Sequence, residues 1–161
     1  MTEYLPINEG KDHLNVYSKS ALLIGRQLSN FYFAPFTHTQ DGKFHSVEGY
    51  WYWLATGGNR EEFRMLSGVT AKTEGQQRIK KTGRVEVPDF NERVLEAIRC
   101  KLRQHRDILK NLVATTLPLT HYYYYGDVAN PSAIIRLEKH MWIIDEITRI
   151  RTLMKAHYAQ S

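Results

Sequence analysis

The sequence has one cysteine, Cys100, so no disulfide can form within the chain. This favours a reducing, cytoplasmic setting. Cys100 lies in a predicted helix among core-type residues, which indicates a buried structural thiol rather than a nucleophile. No apolar run approaches the roughly 18 residues of a membrane span, and the N-terminus lacks a basic segment followed by an apolar one. We therefore expect neither a membrane protein nor a secreted one.

Several common catalytic and cofactor motifs are also missing. The sequence contains no Gly-rich phosphate loop, no Gly-x-Gly-x-x-Gly and no Gly-x-Ser-x-Gly. Hydrolysis by a P-loop, Rossmann redox chemistry and α/β-hydrolase chemistry are therefore unsupported. The seven histidines show no metal-ligand spacing, and there is no cysteine pair. We predict neither a metal site nor a cofactor.

The composition that is present is typical of a globular protein. Of the 161 residues, 42% are hydrophobic and 24% charged, and the net charge of +5 permits attraction to phosphate-bearing ligands. No repeat or linker divides the chain. We therefore expect one domain over residues 21–161, preceded by a loosely attached lead-in at 1–20.

Hydrophobic periodicity and turn residues predict a mainly α fold of the α+β class, with a few short strands that hold loops. Short strands are predicted at 21–24 and 119–125, and Asp41-Gly42 predicts a turn between two more. Helices are predicted at 47–56, 60–66 and 70–81, the first of them capped by Ser46. Two more are predicted from an Asp89–Glu92 capping box onward and around 108–113. The last is predicted at 130–157, with Asn130 as its cap and Pro131 at its first position.

Four segments follow one another in an order that resembles a known family. They are Leu28-Ser29-Asn30-Phe31 with Pro35-Phe36; Asp41-Gly42 with Ser46-Val47-Glu48-Gly49-Tyr50; Ala71-Lys72 with Gly75; and the helix pair from Arg93 through Lys101 and Gln104 to Leu112 and Thr115. Their counterparts are the LSNF…PF, DG…SVEHY, AK..G and R…M…K..Q…L…T patterns of the NADAR (YbiA-like) family. The similarity spans about residues 22–154 and extends to the small size of phage-encoded members.

The resemblance implies an N-glycosidase that hydrolyses an ADP-ribose or ribosyl-phosphate linkage. One family activity removes ADP-ribose from guanine in nucleic acid, and another cleaves riboflavin-pathway intermediates; the basic charge favours the first. Two departures keep a non-catalytic ADP-ribose or nucleotide-binding module open as the alternative: Gly49 replaces His, and Tyr125 replaces Trp. Tyr125 and the lack of a Gly-rich segment after Asn130 also leave the identity of the substrate open. A protein-interaction domain that uses exposed aromatic residues is a third possibility.

Glu48 and Lys72 are the catalytic candidates that the resemblance implies. A carboxylate can stabilise a ribosyl cation or protonate the departing base, and a lysine can attack the anomeric carbon and form a Schiff base with the opened ribose. Each residue also has a plain structural reading. A glutamate in a first helical turn is favoured by the helix dipole, and Lys72 is typical of a solvated helix face.

Seven further residues are predicted to bind substrate, although each has a structural alternative. The ring of Tyr52 could stack on a base or fill the core, Lys101 could contact phosphate or lie on a solvated face, and Asp127 could be a second carboxylate or a turn residue. The predicted substrate-binding residues are Ser29, Asn30, Phe31, Tyr52, Lys101, Tyr125 and Asp127.

Overall fold

The computed structural model describes residues 3–160 and has an α+β fold with a helical majority, as the sequence predicts. Helices account for 53% of the residues and strands in small sheets for 15%. In chain order the elements are β1 (Leu14–Asn15), α1 (Leu23–Leu28), β2 (Phe36–His38), β3 (Gly42–Phe44), α2 (Val47–Ala55), α3 (Gly68–Thr82), α4 (Phe90–Gln104), α5 (Arg106–Ala114), β4 (Leu119–Thr120), β5 (Tyr122–Gly126), β6 (Pro131–Arg136) and α6 (Met141–Ala159).

The chain divides into two compact units. The central unit is Asn30–Arg106, and the terminal unit combines the residues up to Ser29 with those from Asp107 onward. The chain crosses between the two units at residues 29–30 and 106–107. Among residues 3–160, no helix has the length and the apolar content needed to cross a membrane.

The central unit opens with an antiparallel hairpin of β2 and β3, which the Asp41-Gly42 turn joins as predicted. Gly42 adopts a φ of +85°, a conformation that glycine reaches without strain. The predicted helix after Ser46 is α2, and the predicted helices at 60–66 and 70–81 are a short 3₁₀ helix at Glu61–Met65 and α3. Sequence pattern therefore predicts this part of the unit correctly.

Aromatic side chains fill the core of the central unit. The ring of Tyr50 is fully buried and lies 4.9 Å from the ring of Phe44 and 5.9 Å from that of Trp53, centroid to centroid. Phe36 stacks on Phe44 from the neighbouring strand at 6.1 Å. Most of the aromatic run at residues 50–53 is thus packing, because burying such rings removes a large apolar area from water.

The terminal unit includes much of the segment expected to be a loose lead-in. Leu14 and Asn15 pair in parallel with Leu119 and Thr120. Leu14 and Asn15 are themselves fully buried. The Asn15 amide donates to the carbonyl of Tyr122 at 2.9 Å and accepts from its N–H at 2.9 Å. The expectation of loose attachment is wrong for this stretch, because a polar sequence can still be anchored by strand pairing and buried amide hydrogen bonds.

Two secondary-structure predictions in the terminal unit are wrong. Residues 21–24 do not form a strand; α1 begins at Leu23. Residues 131–136 do not begin the last helix but form β6, which pairs antiparallel with β5. Pro131 stands at the first strand position, where a missing N–H is tolerated, and the β-branched pair Ile134-Ile135 suits the pleated surface. The last helix starts later, as α6.

The predicted capping box at the start of α4 is also absent. Asp89 precedes the helix in the left-handed region, with a φ of +59°, and its side chain forms no capping hydrogen bond. Glu92 instead pairs with Arg99 at 2.8 Å, two turns along the same helix. The residue spacing fits a capping box, but the backbone angle at Asp89 does not let the carboxylate reach the first N–H groups.

Candidate functional site

The segment at residues 30–32 connects the starts of α2 and α3 within the central unit. The carbonyl of Asn30 accepts a hydrogen bond from the N–H of Glu48 at 2.9 Å. The carbonyl of Phe31 accepts one from the N–H of Gly68 at 3.0 Å. These two bonds satisfy orphan N–H groups at helix beginnings and fix the segment against both helices. Residues of the predicted LSNF motif therefore lie beside the predicted catalytic ones.

Glu48 lies in the first turn of α2 and is partly buried as a residue. Burial raises the pKa of Glu48 from 4.5 to about 7, and the nearby positive charge of Lys72 acts in the opposite direction. A carboxyl with a pKa near neutrality can both donate and accept a proton at physiological pH. Glu48 thus has the property that a general acid needs.

Lys72 reaches the same region from the second turn of α3. Its Nζ lies 5.9 Å from the centroid of the Phe31 ring, within the range of a cation–π contact. The charge of Lys72 also acts on the carboxyl of Glu48. The two predicted catalytic side chains and Phe31 are therefore close together, although they come from three different segments of the unit.

Lys101 is only 2% exposed, so its predicted solvated alternative is wrong. Its Nζ lies 6.0 Å from the centroid of the Tyr32 ring, which follows the Asn30-Phe31 pair directly. Burial lowers the pKa of Lys101 from 10.5 to about 7. An amine with such a pKa is partly neutral at physiological pH and can act as a nucleophile or base. Sequence pattern does not predict this burial, because a lone lysine on an amphipathic helix normally faces water.

The glycine at position 49 follows from close backbone packing. A Cβ at Gly49 would lie 2.5 Å from the carbonyl oxygen of Phe63 and 2.8 Å from that of Leu66. The Ser46 hydroxyl caps α2 by accepting from the N–H of Gly49 at 3.0 Å, and donates to the carbonyl of Leu66 at 2.9 Å. The 63–66 segment thus occupies the space that a side chain at position 49 would need.

Four predicted substrate-binding residues remain, one in the central unit and three in the terminal unit. Tyr52 is 7% exposed and packs against Gly75, where a Cβ would meet its ring at 2.1 Å, so it joins α2 to α3. Ser29, Tyr125 and Asp127 belong to the terminal unit. Tyr125 is 52% exposed on β5, and the Asp127 carboxylate accepts from the N–H of Ala129 at 2.7 Å. Asp127 therefore has the turn role that the sequence left open.

Comparisons with known proteins add no further information. No protein-family model, curated protein or solved structure matches this chain.

A hydrogen-bonded cluster around Asp41 was not predicted from the sequence. The Asp41 carboxylate accepts from Arg93 at 2.9 and 3.0 Å and from the hydroxyl of Tyr50 at 2.5 Å. Its pKa is held below the ordinary value by hydrogen bonds from these two groups, which outweigh the effect of burial. The ring of His38 stacks on Tyr50 at 4.5 Å. Arg93, a residue of the helix-pair motif, thus links α4 to the β2–β3 turn through its hydrogen bonds to Asp41.

Among residues 3–160, no group of three or more His, Cys, Asp or Glu side chains could hold a metal ion. Cys100 is buried, as predicted, and its Sγ lies 3.4 Å from the hydroxyl of Thr39. The candidate site itself presents carboxyl, amine and aromatic groups.

Proposed function

We propose that the chain is an N-glycosidase that hydrolyses an ADP-ribose or ribosyl-phosphate N-glycosidic linkage, for example ADP-ribose on guanine in nucleic acid. The observation that supports this most strongly is the interaction of Glu48 with Lys72 beside the Asn30-Phe31 segment. An acid that holds its proton near pH 7 and an amine on one small surface are the groups that cleavage of a ribosyl–base bond requires.

In the proposed reaction Glu48 acts as the general acid. Its carboxylic proton moves to the departing base as the bond between the anomeric carbon and the base nitrogen breaks. The Glu48 carboxylate left by this transfer accepts a proton from the lysine ammonium, and the freed amine bonds to the anomeric carbon. One proton of the new C–N linkage passes to the ring oxygen as the bond between that oxygen and the anomeric carbon breaks, which opens the ring to a protonated imine. Water hydrolyses the imine, which releases the sugar aldehyde and restores the amine. The amide of Asn30 can hydrogen-bond the sugar hydroxyls, and the ring of Phe31 can pack against the sugar or the base.

The central unit offers two lysines for the amine role. Lys72 interacts directly with Glu48, whereas Lys101 is the lysine whose pKa burial lowers to about 7. We assign the role to Lys72 because of its partner, and Lys101 is the rival. Reduction with borohydride during turnover would attach the sugar covalently to the amine, and peptide mass mapping would identify it. If the sugar adduct is found on Lys101, and still forms there in a Lys72→Met variant, the assignment would be reversed.

The function is tested by product release from a panel of substrates. The panel comprises a guanine-ADP-ribosylated oligonucleotide, an ADP-ribosylated nucleoside and a free ribosyl-phosphate nucleotide. We expect the wild type to release the base from at least one of them. A Glu48→Gln variant should be slower by about 100-fold or more, since general acid catalysis contributes 10²–10⁴-fold.

A Glu74→Gln variant serves as the matched control, because Glu74 is an exposed carboxyl on α3. It should retain wild-type turnover. If no substrate is cleaved but ADP-ribose binds in calorimetry, and Glu48→Gln weakens that binding, the non-catalytic binding module would replace the glycosidase. If ADP-ribose does not bind either, both proposals fail.

A further inference from the structure

We infer that a basic and aromatic surface at the C-terminal end of α3 binds single-stranded nucleic acid. This α3-end surface consists of Lys80, Lys81, Arg84, Phe90 and Trp51, all within the central unit. The inference concerns binding alone and does not require that the chain be a glycosidase.

The charge of this segment is strongly one-sided. Residues 75–88 contain four basic side chains, including Lys80, Lys81 and Arg84, and one acidic side chain, Glu86. Lys80, Lys81 and Arg84 are exposed. Within residues 3–160, none of these three basic groups forms an ion pair with a carboxylate. A basic helix end complements the helix dipole, but the dipole gives no reason for Arg84, which lies beyond the helix.

Arg84 joins this charge to a pair of aromatic rings. Its guanidinium lies 4.6 Å from the centroid of the Phe90 ring. Phe90 meets the ring of Trp51 edge to face, at 4.9 Å and 90°. The N–H of Val85 donates to the carbonyl of Ala55 at 2.9 Å, which holds the 83–85 segment against the end of α2. The arginine and both rings are thus fixed on one surface, and both rings are partly exposed.

This combination fits an unpaired nucleic-acid strand better than other anionic partners. Lysine and arginine contact phosphates, while aromatic rings and guanidinium planes stack on bases whose faces are free. A duplex hides those faces, and an anionic membrane or an acidic peptide would make no use of the stacked arginine. Trp51 lies one helical turn after Glu48 on α2, so a strand on this surface would pass close to the candidate site.

Binding of a labelled, unmodified 12-nucleotide single strand to the full chain tests the inference. We expect a Lys80→Gln, Lys81→Gln, Arg84→Gln triple variant to bind about 10-fold more weakly or worse. The slope of log affinity against log salt should fall by about 2, because three phosphate contacts are lost. A Phe90→Leu variant keeps the charge and should still lose about 5-fold or more through stacking.

The control is a triple variant that removes the same charge elsewhere: Lys11→Gln, Lys110→Gln, Lys139→Gln, all at exposed positions. It should bind within about 2-fold of the wild type. An equal loss in both triple variants would overturn the inference, because net charge alone would then explain binding. Tighter binding of the matching duplex than of the single strand would also overturn the inference, as would the absence of measurable binding by the wild type. Circular dichroism of each variant excludes unfolding as the cause of a loss.

Discussion

Burial moves the pKa of Glu48 and that of Lys101 toward the same value, about 7, from opposite sides. Desolvation disfavours the charged form of each group, so the carboxyl holds its proton longer and the amine loses its proton sooner. Lys72 opposes this effect at Glu48, whereas burial is the cause that lowers the pKa of Lys101. The central unit thus keeps an acid and an amine that both change charge near neutrality.

The raised pKa of Glu48 makes folding stability depend on pH. Between about pH 4.5 and 7 the unfolded chain has released this proton while the folded chain retains it, so stability falls as the pH rises. The loss is at most roughly 3 kcal/mol, from 1.36 kcal/mol per pKa unit. Urea denaturation at pH 5 and 7.5 should show a smaller drop in the free energy of unfolding for Glu48→Gln than for the wild type. A Glu74→Gln variant should follow the wild type, and equal drops in all three would refute the shift.

The sequence predicts the residues of the candidate site but not their surroundings. Glu48, Lys72, Asn30 and Phe31 follow from short motifs, and they lie together in the central unit. The burial of Lys101 and the salt bridge of Arg93 with Asp41 could not be predicted, because both depend on contacts between residues more than 50 positions apart. Tyr52 fits a stacking role by its type, yet only the approach of Gly75 shows that it is a packing residue.

At the scale of single elements, α2 and α3 begin with serines that differ in function. The hydroxyl of Ser46 caps α2 and also donates to the carbonyl of Leu66, whereas Ser67 precedes α3 without a side-chain cap. We expect Ser46→Ala to lower the free energy of unfolding by about 1–2 kcal/mol, and Ser67→Ala to change it by less than about 0.5 kcal/mol. Chemical denaturation measures both, and similar losses would contradict the assigned cap.

The contact between α2 and α3 depends on the absence of a side chain at position 75. Alanine there would gain about 1 kcal/mol in helix propensity but would overpack the Tyr52 ring at a cost of about 1–3 kcal/mol. Because the added Cβ would lie 2.1 Å from ring atoms, we expect the upper part of that range and a net loss for Gly75→Ala. The exposed neighbour Gln76→Ala should stay within about 0.5 kcal/mol of the wild type. A stabilised Gly75→Ala variant would show that the helices separate easily.

Elements with strong local signals were predicted well, and those set by pairing were not. The α2 helix has a cap, a continuous apolar run and a glycine pair at its end, and its boundaries agree with the prediction. The β6 strand carries an Asn-Pro pair that is typical of a helix start, but pairing with the tyrosine-rich β5 decides its structure. The lead-in prediction failed for a similar reason, because the burial of Leu14 depends on β4, more than 100 residues away.

At the scale of the whole molecule, the opposite shifts of Glu48 and Lys101 shape the stability profile. Glu48 removes stability as the pH rises toward 7. Lys101 adds stability between about pH 7 and 10.5, since the unfolded chain there binds the proton that the folded chain has released. We therefore expect the wild type, relative to a Glu48→Gln, Lys101→Met double variant, to be least stable near pH 7. Denaturation midpoints from pH 5 to 10 measure this difference, and a flat difference curve would contradict it.

Turnover of two single variants and their double variant tests most directly whether Glu48 and Lys72 act on the same bond. Each of Glu48→Gln and Lys72→Met should slow base release from an ADP-ribosylated substrate by about 100-fold or more. The losses caused by removing groups that act together on one reaction do not multiply. The double variant should be little slower than the worse single variant. Wild-type rates in both single variants, or the full product of two independent losses in the double, would contradict a shared site.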